Sequence, residues 1–218
     1  MTSLAGAPVK VDEWGIDICY SGTQKCLSCP PGLSPITFSH RTMEVIRNRK
    51  SRVQSWYLDM TMIERYWGSE RFYHHTAPIS MIYAFHEALR IIHEEGLENR
   101  FQRHRKNGAA LAAGLEAMGL KLVAQEGYRA PMLTTVGIPD GIVDASVRKM
   151  LLSKYYIELG GSLGVFKGKA WRVGLMGYSS TQRNVLVFLN ALENILAEEG
   201  YMVERGAGAD AADRVFNA

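Results

Sequence analysis

The sequence predicts an α/β fold, on three observations. Two long helical periodicities stand back to back between Pro78 and Gly119. After Gly119, short β-type runs alternate with amphipathic stretches. Before Pro78 the chain is loop-rich, with one alternating run near Ile16. Switching between the two periods marks mixed layers, α/β or α+β.

The elements follow in order. Ile16-Asp17-Ile18-Cys19-Tyr20 alternates apolar and polar residues and reads as a strand. Ser21 to Gly32 carries Gly22, Pro30, Pro31 and Gly32 among hydroxyl and amide residues, which makes a structured loop. Ser39 is placed to cap a helix from His40 to Asn48, and a second short helix runs from Met60 to Trp67, closed by Gly68. Pro78 suits the first turn of a long helix. Within it Ile79, Ile82, Tyr83, His86, Leu89 and Ile92 recur at three and four residues, an apolar stripe for burial that ends at Gly96. The next helix turns Phe101, Gly108, Leu111, Leu115 and Met118 inward and stops at Gly119.

Strands are expected at Leu120 to Ala124, Met132 to Ile138, Tyr156 to Leu159 and Trp171 to Leu175. Helices are expected at Val143 to Lys154 and at Ser180 to Glu199, the latter with Val185, Leu189, Leu192 and Leu196 inward. Arg205 to Ala218 is rich in Ala, Gly and Asp and is expected to fray. A domain boundary is expected near Gly96 to Asn99. It leaves residues 1–97 as the end of a larger domain, 98–202 as a small domain and 203–218 as a tail.

Composition narrows the function classes. Apolar residues are 47% and charged residues 22%, so the chain is neither disordered nor fibrous. The net charge of +3 is too small to imply a nucleic-acid partner. No run approaches the roughly 20 apolar residues of a membrane span, and Met1 to Lys10 lacks a signal-peptide core. Three cysteines make no disulfide scaffold. The last residues are not a Ser-Lys-Leu peroxisomal address, so a cytoplasmic location is the expectation.

Four constellations carry candidate chemistry. Cys19, Cys26 and Cys29, with His74 or His75, have the residue types of a Cys₃His zinc site, and Cys26/Cys29 also has redox-dithiol spacing. Against these readings, small thiols commonly just pack, and Pro30-Pro31 opposes a helix after the pair. Lys25, in Ser21-Gly22-Thr23-Gln24-Lys25, is a nucleophile toward carbonyls if its amine is held neutral, or else a solvated surface lysine. Tyr73-His74-His75-Thr76 precedes a helix start, where hydroxyls and free N–H groups favour an anion. Capping and packing explain the segment equally well. Arg172 lies inside an otherwise apolar strand and needs a planar anionic partner, a substrate carboxylate or a structural one.

Asp17-Ile18-Cys19-Tyr20-Ser21-Gly22-Thr23-Gln24-Lys25-Cys26-Leu27, followed by Pro30-Pro31-Gly32, resembles the cofactor-lysine segment of class V aminotransferases. Within that class the similarity is greatest to the alanine–glyoxylate and serine–glyoxylate enzymes. Trp56-Tyr57-Leu58-Asp59, Tyr73-His74-His75-Thr76-Ala77-Pro78, Gly96-Leu97-Glu98 and Arg172-Val173-Gly174-Leu175-Met176-Gly177 follow in the family's order. The similarity covers residues 2 to 200.

The resemblance implies a fold-type I transferase dependent on pyridoxal 5′-phosphate (PLP), here its C-terminal part: the end of the large domain plus an α+β small domain. It implies that Lys25 forms the Schiff base with PLP, that Gln24 lies beside the cofactor phosphate, and that Arg172 holds the substrate carboxylate. It further implies that Tyr73 and Thr76 reach the phosphate of a neighbouring subunit, so the expected assembly is a homodimer. No metal is implied. The implied reaction moves an amino group from a small amino acid, alanine or serine, to glyoxylate or a similar 2-oxo acid.

One departure stands out. The family's phosphate-binding glycine loop, ring-stacking aromatic residue and pyridine-nitrogen aspartate have no counterpart in these 218 residues. The aspartate is expected just upstream of Thr2. The alternatives are an inactive remnant that serves as a dimerising α/β domain and, less favoured, a Cys/His zinc module.

Overall fold

The computed structural model describes residues 1–218. Its first elements are two short antiparallel strands, β1 (Ile18–Tyr20) and β2 (Ile36–Phe38), with Cys19 opposite Thr37. Between them lies the Lys25 loop. Helix α1 (His40–Arg47) begins where Ser39 Oγ accepts the Thr42 N–H at 3.1 Å. A 3₁₀ turn at Trp56–Leu58 leads into α2 (Met60–Trp67), capped by Asp59 and closed by Gly68. Helices α3 (Ile79–Glu95) and α4 (Leu97–Ala117) meet at Gly96, whose φ of 78° turns the chain between them.

The second half is built on a three-stranded antiparallel sheet, β3 (Leu133–Gly137), β4 (Gly160–Gly161) and β5 (Ala170–Gly174), in the order β3-β5-β4. Thr135 pairs with Arg172, and Gly160 pairs with Arg172 from the other side. Helices α5 (Asp144–Tyr155), α6 (Gln182–Glu198) and α7 (Ala207–Asn217) complete it. The main core joins Leu111 and Leu115 of α4, Trp171 and Val173 of β5, and Val185, Leu189, Leu192 and Leu196 of α6. Trp171 is fully buried, and its indole N–H is satisfied by Asp144 Oδ1 at 2.9 Å.

Four expectations need correction. The tail is not frayed: α7 packs on α4 and α6 and buries Ala211 and Ala212. Its small residues allow close approach, because a β-carbon on Gly208 would lie 2.8 Å from Met118 Sδ. Tyr156 to Leu159 is not a strand. Tyr156 takes a left-handed conformation (φ 56°) that ends α5, and pairing with β5 starts only at Gly160. Leu120 to Ala124 makes a single bridge, Leu122 to Val136, rather than a strand. The expected stripe of α3 is largely uncovered: Ala88 and Ile92 are buried, whereas Ile79, Tyr83 and Leu89 are exposed. Neither sheet is parallel. No helix is long and apolar enough to cross a membrane.

Candidate active site

The Lys25 loop is held by its own backbone and by buried hydroxyls. Thr23, fully buried, donates from Oγ1 to the Pro30 carbonyl at 2.8 Å, and Cys29 N–H returns to the Thr23 carbonyl at 3.0 Å. Ser21 Oγ donates to the Met1 carbonyl at 2.7 Å. The Gln24 side chain folds back over Gly22, its Oε1 lying 2.5 Å from where a β-carbon would stand. These bonds leave Lys25 half-buried and Gln24 exposed at the mouth of a cavity of about 300 Å³. One wall is Gln24, Lys25, Ser28 and Cys29; the other is Gly174, Met176, Tyr178 and Ser179, the segment that follows β5.

Arg172 lies two residues before that second wall, on the face of β5 opposite the buried Trp171 and Val173. Its Nε donates to the Gly161 carbonyl at 3.0 Å. It makes no salt bridge; Asp144, which accepts the Trp171 indole N–H, pairs with Arg148 instead. No carboxylate of this chain pairs with Arg172, and its terminal nitrogens have no hydrogen-bond partner within the chain.

Tyr73 and Thr76 are brought together, but not with Lys25. Tyr73 Oη and Thr76 Oγ1 are 2.8 Å apart on an exposed surface, and neither lines the Lys25 cavity. The histidines between them point inward. His74 is buried, stacks on Trp56 at 4.2 Å, and meets the Trp56 carbonyl at 3.0 Å and His75 Nδ1 at 2.8 Å. This is aromatic packing. The Cys₃His reading is overturned, because no group of three His, Cys, Asp or Glu side chains gathers anywhere in the fold. Cys19, Cys26 and Cys29 are buried free thiols, and burial pushes the Cys26 thiol up.

Residues of α4 that patterning did not single out stand behind the cavity. Arg100, only 2% exposed, donates to the carbonyls of Ala5 (3.0 Å) and Cys26 (2.8 Å). Arg103 donates to the carbonyls of Gly177 (2.9 Å) and Ser180 (2.5 Å). Both guanidinium groups share Glu95, whose carboxyl is held below the usual range first by the Arg103 hydrogen bonds and then by Arg100. His104, fully buried, accepts the Gly177 N–H on Nε2 at 2.9 Å and faces the Arg100 carbonyl with Nδ1 at 2.8 Å. Only the neutral ring with its proton on Nδ1 satisfies both contacts. Burial accordingly depresses the His104 pKa, helped by Arg103 and Arg100. The available signal was the polar row 100, 103, 104, 107 at helical spacing.

Residues 2–168 match the aminotransferase class-V family. The chain belongs to that family. It is 43% identical to the (S)-ureidoglycine–glyoxylate transaminase of Bacillus subtilis, covering 99% of this chain and 56% of that protein. The crystal structure of the ureidoglycine–glyoxylate aminotransferase from Bacillus subtilis superposes with a TM-score of 0.95 at 46% identity, over 99% of this chain and 56% of the other. The alanine–glyoxylate aminotransferase structure from Nostoc sp. gives 0.87 at 51% identity, over 89% and 52%. The chain spans about half the length of the relatives it matches. The fold is that of fold-type I PLP-dependent transferases, and PLP is the family's cofactor.

The donor set fits one side of PLP. A primary amine and an amide share a pocket, and an unpaired guanidinium stands on the adjoining strand. The cavity lining holds no carboxylate for the pyridine nitrogen and, apart from Tyr178, no aromatic ring.

Proposed function

We propose that this class-V aminotransferase chain supplies the lysine wall and the carboxylate-binding side of a transaminase site. The single observation that carries the reading is the cavity that sets Lys25 against the segment running on from Arg172. Lys25 is the anchoring residue for PLP, and Gln24 adjoins the cofactor phosphate. Arg172 offers a planar fork to the α-carboxylate of the substrate, which fixes the substrate's orientation. The Lys25 amine, once released, moves a proton at the substrate α-carbon. PLP, when bound, supplies the electron sink for charge that develops there.

The amino acceptor is glyoxylate or a similar 2-oxo acid, supported by the glyoxylate named for the Bacillus subtilis and Nostoc proteins. The donor is a small amino-bearing acid such as alanine, serine or ureidoglycine. Tyr73 and Thr76 carry hydroxyls away from the Lys25 cavity, which supports a homodimer in which they serve the second subunit's cofactor. Residues 1–97 and 98–202 are read as the large-domain portion and the small domain, held together at α4. Borohydride reduction of the PLP-loaded protein followed by peptide mapping tests the reading. Label on Lys25 is expected; label on another lysine would sink it.

A further inference from the structure

The two walls of the Lys25 cavity touch each other through Ser28, whose Oγ accepts the Tyr178 N–H at 2.7 Å. Further contacts that set their spacing come from one face of α4. Arg100, Arg103, His104 and Asn107 lie at positions i, i+3, i+4 and i+7, a single row on the helix. Arg100 holds the carbonyl of Cys26, the residue after Lys25. Arg103 and His104 hold the carbonyl and the N–H of Gly177. Asn107 Nδ2 donates to the Ser180 carbonyl at 2.8 Å. None of the four lines the cavity. The row therefore grips both walls from behind.

We infer that this row is a positioning device that fixes the Lys25 segment relative to the segment following Arg172, with His104 as its central positioning residue. The inference rests on the reading of Lys25 as the cofactor lysine. The geometry gives it content. His104 Nε2 accepts the Gly177 N–H at 2.9 Å, from a ring locked by the Arg100 carbonyl. Arg100 and Arg103 share one carboxylate, Glu95, so a shift of either wall is passed to the other through a common counter-ion. A side chain of equal bulk without the acceptor leaves Gly177 N–H buried and unpaired, and the wall must move to satisfy it. Glutamine restores an acceptor and a donor on one side chain.

The experiment uses the PLP-loaded protein and compares His104→Phe, His104→Gln and Lys25→Ala. Three quantities are read: the visible absorbance of lysine-bound PLP, its circular dichroism, and KM against kcat for the amino donor. Lys25→Ala is expected to abolish the absorbance band; a band that survives refutes the Lys25 reading itself, and with it this inference. With Lys25 intact, His104→Phe should retain the band but change its dichroism and raise KM about tenfold, while His104→Gln returns both toward the wild-type values. A His104→Phe protein with lowered thermal midpoint but unchanged dichroism and KM would show a purely structural residue and overturn the inference. Should His104→Phe fail to fold, Asn107→Ala loosens the Ser180 end of the same row. It should raise KM in the same direction by a smaller factor, and an unchanged KM and dichroism there would overturn the inference as well.

Discussion

Gly177 and Ser28 approach so closely that a β-carbon on Gly177 would overlap the Ser28 hydroxyl and stand 2.8 Å from the Cys26 carbonyl oxygen. Gly177 also has φ 58°, in the left-handed region. Two separate costs therefore fall on Gly177→Ala. The backbone conformation costs about 1–2 kcal/mol for any L side chain, and the overlap adds roughly 1–3 kcal/mol of overpacking. Gly141 has φ 82° with nothing within 4 Å of its missing β-carbon, so Gly141→Ala bears only the first cost. Urea denaturation should place Gly177→Ala clearly below Gly141→Ala. Equal midpoints would mean that the Ser28 contact is not tight in solution.

His104 should make stability depend on pH. It is neutral in the fold, buried against Arg100 and Arg103 of its own helix, Glu95 of α3, and the backbone of Arg100 and Gly177. Its folded pKa lies below the ordinary 6.5. As pH falls below 6.5 the unfolded chain takes up the proton first, so stability is present above that value and is lost as pH falls toward the folded pKa. The carboxylates with lowered pKa, Glu95 and Asp144 among them, lose their contribution only at lower pH. Between about pH 8 and about pH 5 the wild type should lose more stability than His104→Gln. Parallel loss in the two proteins would show that His104 titrates alike folded and unfolded.

Some of this was legible in the sequence, and the division is physical. Local signals held: Ser39 does cap α1, Gly68 does close α2, and Gly96 does break α3 from α4. The inward faces of α4 and α6 held too, because an apolar stripe that packs within its own chain is encoded by period alone. The stripe of α3 shows the limit. Periodicity says which face is apolar, not what covers it, and Tyr83 stands exposed. Strand β2 was missed because Ile36–Phe38 is three residues long and depends on pairing with β1. The row on α4 was missed for a related reason. Arg100, His104 and Asn107 continue the face of Gly108, Leu111 and Leu115 toward the helix start, where polar residues read as its solvated end, and only tertiary structure brings Ala5, Cys26 and Gly177 to Arg100, Arg103 and His104. Lys25 and Arg172 were singled out through resemblance; spacing alone favoured a surface lysine at position 25 and left Arg172 a structural partner as an alternative.

Arg172→Lys tests the fork on β5. Arg172 uses Nε on the Gly161 carbonyl and has no carboxylate partner, so its terminal nitrogens are free for a planar anion. Lysine keeps the charge but loses the bidentate geometry and the bond to Gly161. Lost charge-assisted contacts of this kind cost about 1.5–3 kcal/mol, roughly 10- to 100-fold in KM. KM for the amino acid should rise by that factor while PLP affinity changes little. Unchanged KM would assign Arg172 to the sheet rather than to substrate.

The C-terminal helix gives the last prediction. Ala212 is fully buried in the core formed by α4 and α6, and α7 has no ion pair to hold it there. Its attachment rests on close packing, with Gly208 against Met118, and on the Gly206 N–H donated to Glu193 Oε1 at 2.7 Å. Ala212→Asp puts an unpaired carboxylate into that contact. The helix must then either bury the charge or leave the core, and both routes cost roughly 3 kcal/mol or more. For a chain of this length that corresponds to a fall of about 6–12 °C in Tm. Arg214 is exposed on the same helix, so Arg214→Ala should stay within about 0.5 kcal/mol of wild type. If Ala212→Asp melts with wild type, α7 is detached in solution and residues 205–218 fray after all. If it melts far below Arg214→Ala, the tail is part of the core.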